Sequence, residues 1–215
     1  MMKKILFLVV LIAMTANALT LDQVRKDLLQ NSISKDSIEM RIRTSVSSSA
    51  MSGKQNVYIY MVRKGDSKIY TEMKLPFLNQ RSIINGSKMK VIDLLTRKSE
   101  ILPYNGEPLK ALTYANFNPL TEGEWQEPKL VSDNIYSING GEKGILYYNS
   151  KKKRIEKIES ENNKRSTLTT FTYDSENNMK TMKTSVMVDG KETVVLTEVL
   201  LLRHSRNFAD RLFEF

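Results

Sequence analysis

From residue 38 onward, apolar and polar residues alternate in short runs, the period of β-strands whose successive side chains point to opposite faces. Ile38, Met40 and Ile42 alternate with Glu39, Arg41 and Arg43, which predicts a strand with one wet face. The following stretch, NVYIYMVRKGDSKIYTEMK, predicts two strands around a Lys-Gly-Asp-Ser turn. Its first strand is apolar on both sides: Val57, Ile59 and Met61 share one face, and Tyr58, Tyr60 and Val62 form the other.

Residues 80–85 and 88–95 flank Asn85-Gly86, a strong two-residue hairpin signal, and SEILPYNGEP ends that pair in a looser turn. Between Pro108 and Pro128 the alternation stops. Leu109, Leu112 and Ala115 have helical spacing there, which predicts a short helix and loop ended before Pro119. Strand patterns then resume in KLVSDNIYSIN, GILYYNS, KRIEKIES, STLTTFTYD, MKTMKTSVMVDG and TVVLTEVLLLR. Ahead of all this, TLDQVRKDLLQNS predicts an amphipathic helix, with Thr20 and Gln23 at capping-box spacing and Leu21, Val24 and Leu28 on one face.

About ten or eleven strands without a parallel crossover predict a mainly β (α+β) chain built on one antiparallel sheet. A sheet of that width curls, so the expected architecture is an incomplete β-barrel covered by short helices. Keeping one parity per strand, the concave face takes Ile42, Val57, Ile59, Met61, Ile69 and Met73, with Met89 on the next hairpin. The tyrosines then lie outside.

The first residues change the picture. Lys3 and Lys4, an apolar run from Ile5 to Met14, and Ala16-Asn17-Ala18 form the three parts of a secretory signal, so cleavage after Ala18 is expected. The apolar run is too short to span a bilayer. The expected mature chain is one domain, residues 19–215, soluble and located in the periplasm. Of its 215 residues none is cysteine, so stability has to come from a hydrophobic core. The formal charge of +9 falls to +7 without Lys3 and Lys4, which favours anionic partners; export argues against nucleic acid.

The inventory for catalysis is poor. With one histidine, His204, and no cysteine, a His/Cys metal site and a Cys-His pair are both excluded. His204 beside Ser205 has no spatial support as a nucleophile pair, and Asn139-Gly140-Gly141 lies between strands, where it is a turn. The expectation is a non-enzyme without cofactor or metal. Methionine is more informative: Met40, Met61, Met73, Met89, Met179, Met182 and Met187 all fall on predicted strands, where flexible thioethers either fill core gaps or accommodate varied apolar ligands.

The order of elements, a leader, an amphipathic helix, antiparallel strands, a mid-chain helical excursion and more strands, resembles the periplasmic lipoprotein carrier family and its outer-membrane lipoprotein-sorting relatives (LolA-like). VYIYMVRKGDSKIYTEMK followed by RSIINGSKMKVIDLLTRKSEIL, and the closing NFADRLFEF, carry the likeness. It implies a half-barrel whose hollow accepts acyl chains of a lipoprotein or lipid, with Arg63 loosely matching an arginine that holds the lid or meets a headgroup. It implies Leu21, Val24 and Leu28 as lid residues. The resulting expectation is a monomeric carrier moving acyl chains toward the outer membrane, between an inner-membrane exporter and an outer-membrane acceptor. A non-catalytic envelope sensor or protein-interaction module on the same scaffold is the alternative.

Overall fold

A computed structural model of the chain describes residues 19–31, 37–49, 53–65, 67–105, 119–121, 123–162, 164–204 and 208–215. The leader and the segment carrying Leu109, Leu112 and Ala115 lie outside them. One helix, α1 (Leu21–Asn31), precedes β1 (Ile38–Ser48), β2 (Gln55–Lys64), β3 (Lys68–Lys74), β4 (Asn79–Asn85), β5 (Lys88–Asp93) and β6 (Ser99–Pro103). Then come β7 (Lys129–Ser132), β8 (Ile135–Asn139), β9 (Ile145–Asn149), β10 (Arg154–Asn162), β11 (Arg165–Tyr173), β12 (Met179–Val188) and β13 (Lys191–His204).

All thirteen strands form one open antiparallel sheet, ordered β6-β5-β4-β3-β2-β1-β13-β12-β11-β10-β9-β8-β7. The chain thus lays down one wing as β1 to β6, builds the other from its outer edge inward, and closes β13 against β1. Two more strands are present than the alternation predicts. KLVSDNIYSIN splits at Asp133-Asn134, where Asn134 takes a left-handed φ of 61°, into β7 and β8. SEILP, expected as a turn, pairs with β5 as β6.

Four β-bulges bend the sheet, all on strands of the second wing or β13: Val131, Glu156, Lys180 and Leu200 have no opposite partner. Each extra residue resets the parity of its strand. Val199 and Leu202, three apart, therefore both face the same side as Ile42 and Met40, and Ile155 and Ile158 both face inward with Tyr148 and Leu146.

Residues directly opposite one another in a ladder share a face, so the register defines a single inner face. One row runs Ile38, Arg63, Ile69, Ile84, Met89, Leu102 across β1 to β6. In the other direction Thr44, Thr197, Met182 and Phe171 continue it across β13 to β11.

The outer face answers why β2 is apolar on both sides. Tyr60 and Tyr70 meet edge to face at 6.1 Å, with Arg41 over the first ring and Arg81 over the second. Arg81 also reaches Glu72 at 2.7 Å. Glu39, expected on a wet face, is buried: Tyr60 donates to it at 2.9 Å and Arg203 pairs with it. Val62 and Ile83, fully or nearly buried on this side, lie where the C-terminal segment packs on β3 and β4. Phe213 is wholly buried there, its carbonyl accepts from Asn85, and Asp210 bridges Lys64 at 2.9 Å and Lys68 at 2.8 Å. Those two ammonium groups, Lys68 first, hold the Asp210 carboxyl down to about 2.

Candidate ligand-binding face

The inner face carries two apolar clusters. In the first, Ile38, Met40, Ile42, Ile59, Met61, Ile69 and Ile84 are buried, with Val57, Met73, Met89, Val199 and Leu202 half-buried against them. All seven residues that the alternation assigns to a ligand cavity, Ile42, Val57, Ile59, Met61, Ile69, Met73 and Met89, thus come together on one side of β1, β2, β3 and β5. Arg63 lies on the same side, half-buried between Ile38 and Ile69. It is the one cation in an otherwise apolar row.

The second cluster lies across β8 to β11 and contains the helix. Leu21, Val24 and Leu28 pack with Ile138, Leu146, Tyr148, Ile155 and Phe171, closed at one side by Leu120 and Trp125. Between Val57 of the first cluster and Met182 of the second, the register inserts Thr44 and Thr197, whose hydroxyls share a hydrogen bond at 3.1 Å. The helix stripe and the seven strand residues are therefore on one face but in different patches.

The helix forms for the reasons its sequence suggests, with one exchange. The Thr20 hydroxyl accepts the Gln23 N–H at 3.2 Å, the first half of a capping box. The Gln23 side chain turns instead to Asp27, and the free Leu21 N–H donates to Glu127 at 2.9 Å.

Asp27 is the feature that alternation could not show. Its carboxylate, 4% exposed, accepts from Tyr148 Oη at 2.8 Å and Gln23 Nε2 at 3.0 Å and pairs with Lys153 at 3.2 Å. Burial opposes its charge, but the hydrogen bonds from Tyr148, Lys153 and Gln23 outweigh burial and hold its pKa below the usual range. Burial first, then the bond to Asp27, pushes the Tyr148 phenol upward. The helix is thus fastened by an apolar stripe and one polar lock.

A carboxyl with a lowered folded pKa contributes stability above its unfolded value, about 4, and loses it as pH falls through the folded value. Asp27→Asn is expected to cost about 1–2 kcal/mol at pH 7, and the gap from the parent chain should narrow as pH falls through the lowered folded pKa of Asp27. Paired urea titrations across pH check this; a gap independent of pH would show that the charge of Asp27 is not what fastens the helix.

The glycine-rich stretch after β8 is structural. A Cβ on Gly140 would lie 2.7 Å from the Trp125 ring, and one on Gly144, at φ +94°, would lie 2.2 Å from the Glu159 carbonyl oxygen. Gly140 therefore seats the tryptophan that closes the helix cluster.

An open concavity of about 1100 Å³ lies away from both clusters, lined mainly by outer-face residues of β9 to β13, with Glu142, Glu159, Glu161 and Glu192 among them. Its carboxylates make it a poor seat for hydrocarbon. His204 is exposed at the end of β13. Among the described residues, no three His, Cys, Asp or Glu side chains are placed to hold a metal ion, and no helix is long and apolar enough to cross a membrane.

Solved structures share this architecture. A LolA superfamily protein from Nitrosomonas europaea superposes with a TM-score of 0.53 at 13% identity, covering 92% of this chain and 99% of that one. A domain from Vibrio parahaemolyticus, described as an outer membrane lipoprotein-sorting protein, gives 0.50 at 7% identity, covering 89% and 94%. The likeness is one of fold. No family model matches the chain, and no curated protein does.

Proposed function

We propose that this chain is an exported periplasmic carrier that holds the acyl chains of a lipoprotein or lipid against the first inner-face cluster and moves them toward the outer membrane. The observation that carries the reading is the set Ile42, Val57, Ile59, Met61, Ile69, Met73 and Met89, gathered on one face of an open curved sheet and apart from the patch that the helix covers. The fold shared with a LolA superfamily protein and a lipoprotein-sorting domain supports it. The signal-like residues 1–18 support export, with cleavage after Ala18 leaving a single half-barrel unit, 19–215.

Physically, the proposed site needs no catalytic group. Burying hydrocarbon gains about 0.8 kcal/mol per CH2, so a chain of about twelve carbons gains on the order of 10 kcal/mol before ordering costs. Unbranched thioethers at positions 61, 73 and 89 adapt to ligands of different length. On this reading Arg63, within the apolar row, meets a headgroup phosphate or ester. On this reading an inner-membrane exporter loads the carrier, an outer-membrane acceptor unloads it, and the chain works as a monomer without a cofactor.

Mass spectrometry of organic extracts from natively purified protein tests the reading. The parent chain should bring stoichiometric acyl species with it. Val57→Glu and Met73→Glu, at half-buried positions, should each lower that load at least about fivefold. A parent chain free of acyl species would instead favour a sensor or protein-interaction module with a packed interior.

A further inference from the structure

The inner face of the first wing is not apolar throughout. Beside the row that holds Ile69 and Ile84, the register sets Met61, Thr71, Ser82 and Val91 opposite one another across β2 to β5. In the next row Ile59, Met73, Gln80 and Asp93 are set in the same way. Thr71, Ser82 and Gln80 therefore form a neutral polar island on the side of the first cluster, bordered by Met61, Met73 and Val91. Thr71 is buried, and Ser82 and Gln80 are half-buried. Gln80 Nε2 donates to Ser82 Oγ at 3.2 Å. The Gln80 side-chain carbonyl and the hydroxyl hydrogens of Ser82 and Thr71 take no part in that bond.

On the carrier reading, on which this step rests, an acyl chain over Met61 and Met73 strips water from the island. A hydroxyl or amide covered by methylenes alone loses its hydrogen bonds to solvent and gains none. A ligand that is hydrocarbon along its whole length is mismatched there. One whose acyl carbonyl lies over the island, with an N–H or O–H donor beside it, restores both kinds of bond: the carbonyl accepts from Ser82 and Thr71, and the donor gives to Gln80 Oε1. Charge disfavours an anion at the same place. Asp93 stands directly opposite Gln80, and its Oδ1 accepts the N–H groups of Leu95 at 2.8 Å and Thr96 at 3.1 Å. Those bonds, Thr96 first, hold its carboxyl below the usual range, so it stays ionised and repels a second carboxylate.

We propose that Thr71, Ser82 and Gln80 read the linkage of the carried lipid, selecting a neutral acyl amide or a hydroxyl-bearing acyl ester over plain hydrocarbon and over a free fatty acid. The apolar residues around the island take the tail. Shape and area alone do not discriminate among tails of equal length, whereas a buried polar group left without its partner does.

Displacement of diphenylhexatriene, a fluorescent hydrocarbon, from natively purified and delipidated protein tests the island. The competitors share one tail length: 1-monolauroylglycerol, N-(2-hydroxyethyl)dodecanamide, dodecanoate and dodecane. On the parent chain the ester and the amide should each displace the probe at concentrations at least about tenfold below dodecanoate. In the variant Thr71→Val/Ser82→Ala/Gln80→Leu, the advantage of both over dodecane should fall about tenfold or more relative to the parent. Gln80→Leu alone, at a half-buried position, should lower the advantage of the amide by about threefold and keeps the test open if the triple variant does not fold. A fall confined to the ester or to the amide would support the island and assign the linkage.

Dodecanoate displacing the probe as well as the ester does, or an advantage over dodecane that stays within about twofold of the parent in both folded variants, would overturn the island. In either case probe uptake by the parent leaves the carrier reading standing. A parent chain that takes up no probe and yields no acyl species on extraction would overturn the carrier reading, and the island with it.

Discussion

Phe213→Ala is expected to lower the unfolding free energy by about 3–5 kcal/mol, the cost of removing a fully buried aromatic side chain and leaving a cavity. Phe215→Ala, two residues on, should cost no more than about 0.5 kcal/mol. The contrast follows from burial: Phe213 is wholly inaccessible and Phe215 is 45% exposed. The remaining ties of the tail are weak by comparison. Asp210 is well exposed between Lys64 and Lys68, and exposed ion pairs of this kind are largely screened. Urea unfolding of both variants checks the expectation. A Phe213→Ala cost below about 1 kcal/mol would mean that the tail is a superficial strap and that Val62 and Ile83 are buried without it.

Val24→Asp should have an effect of similar size, with a different outcome. Val24 is fully buried at the centre of the helix stripe, and an unpaired carboxylate there costs several kcal/mol. The cheapest relief is release of α1, because the sheet has its own ladder and its own first cluster. Trp125, the only tryptophan, is buried in the helix patch and reports that release. Its emission should move to the red in Val24→Asp and stay put in Lys26→Asp, on the exposed side of the helix. An unmoved emission in Val24→Asp would mean that the helix is not what shields this patch.

Much of the candidate site was legible because one parity per strand suffices where strands run without interruption. On β1, β2, β3 and β5 the choice of Ile42, Val57, Ile59, Met61, Ile69, Met73 and Met89 depends on period-two alternation alone, and the register places them together. The helix stripe was legible for the same reason at period 3.6. Asp27 and Tyr148 were not: nothing local marks a helix carboxylate and a strand tyrosine 121 residues away as partners. The one signal available was an acidic residue beside Leu28 on an otherwise apolar face.

The second wing was harder because of its bulges. Ile155 with Ile158, Met179 with Met182, and Val199 with Leu202 are spaced by three, which reads as helix or as irregular strand. In the sheet each pair straddles or adjoins an unpaired residue, so both members face inward.

Local order along this chain was set by its own covalent pattern: where strands run, where they turn, which residues of an uninterrupted strand share a side, and that one helix needs a surface to lie on. Those properties depend on neighbours within a few positions. Which patch the helix covers, how bulges reset four strands, and where the C-terminal aromatic is buried were decided only by the folded sheet. Each depends on a contact between residues far apart in sequence, whose burial free energy has no counterpart in the chain before its strands are paired.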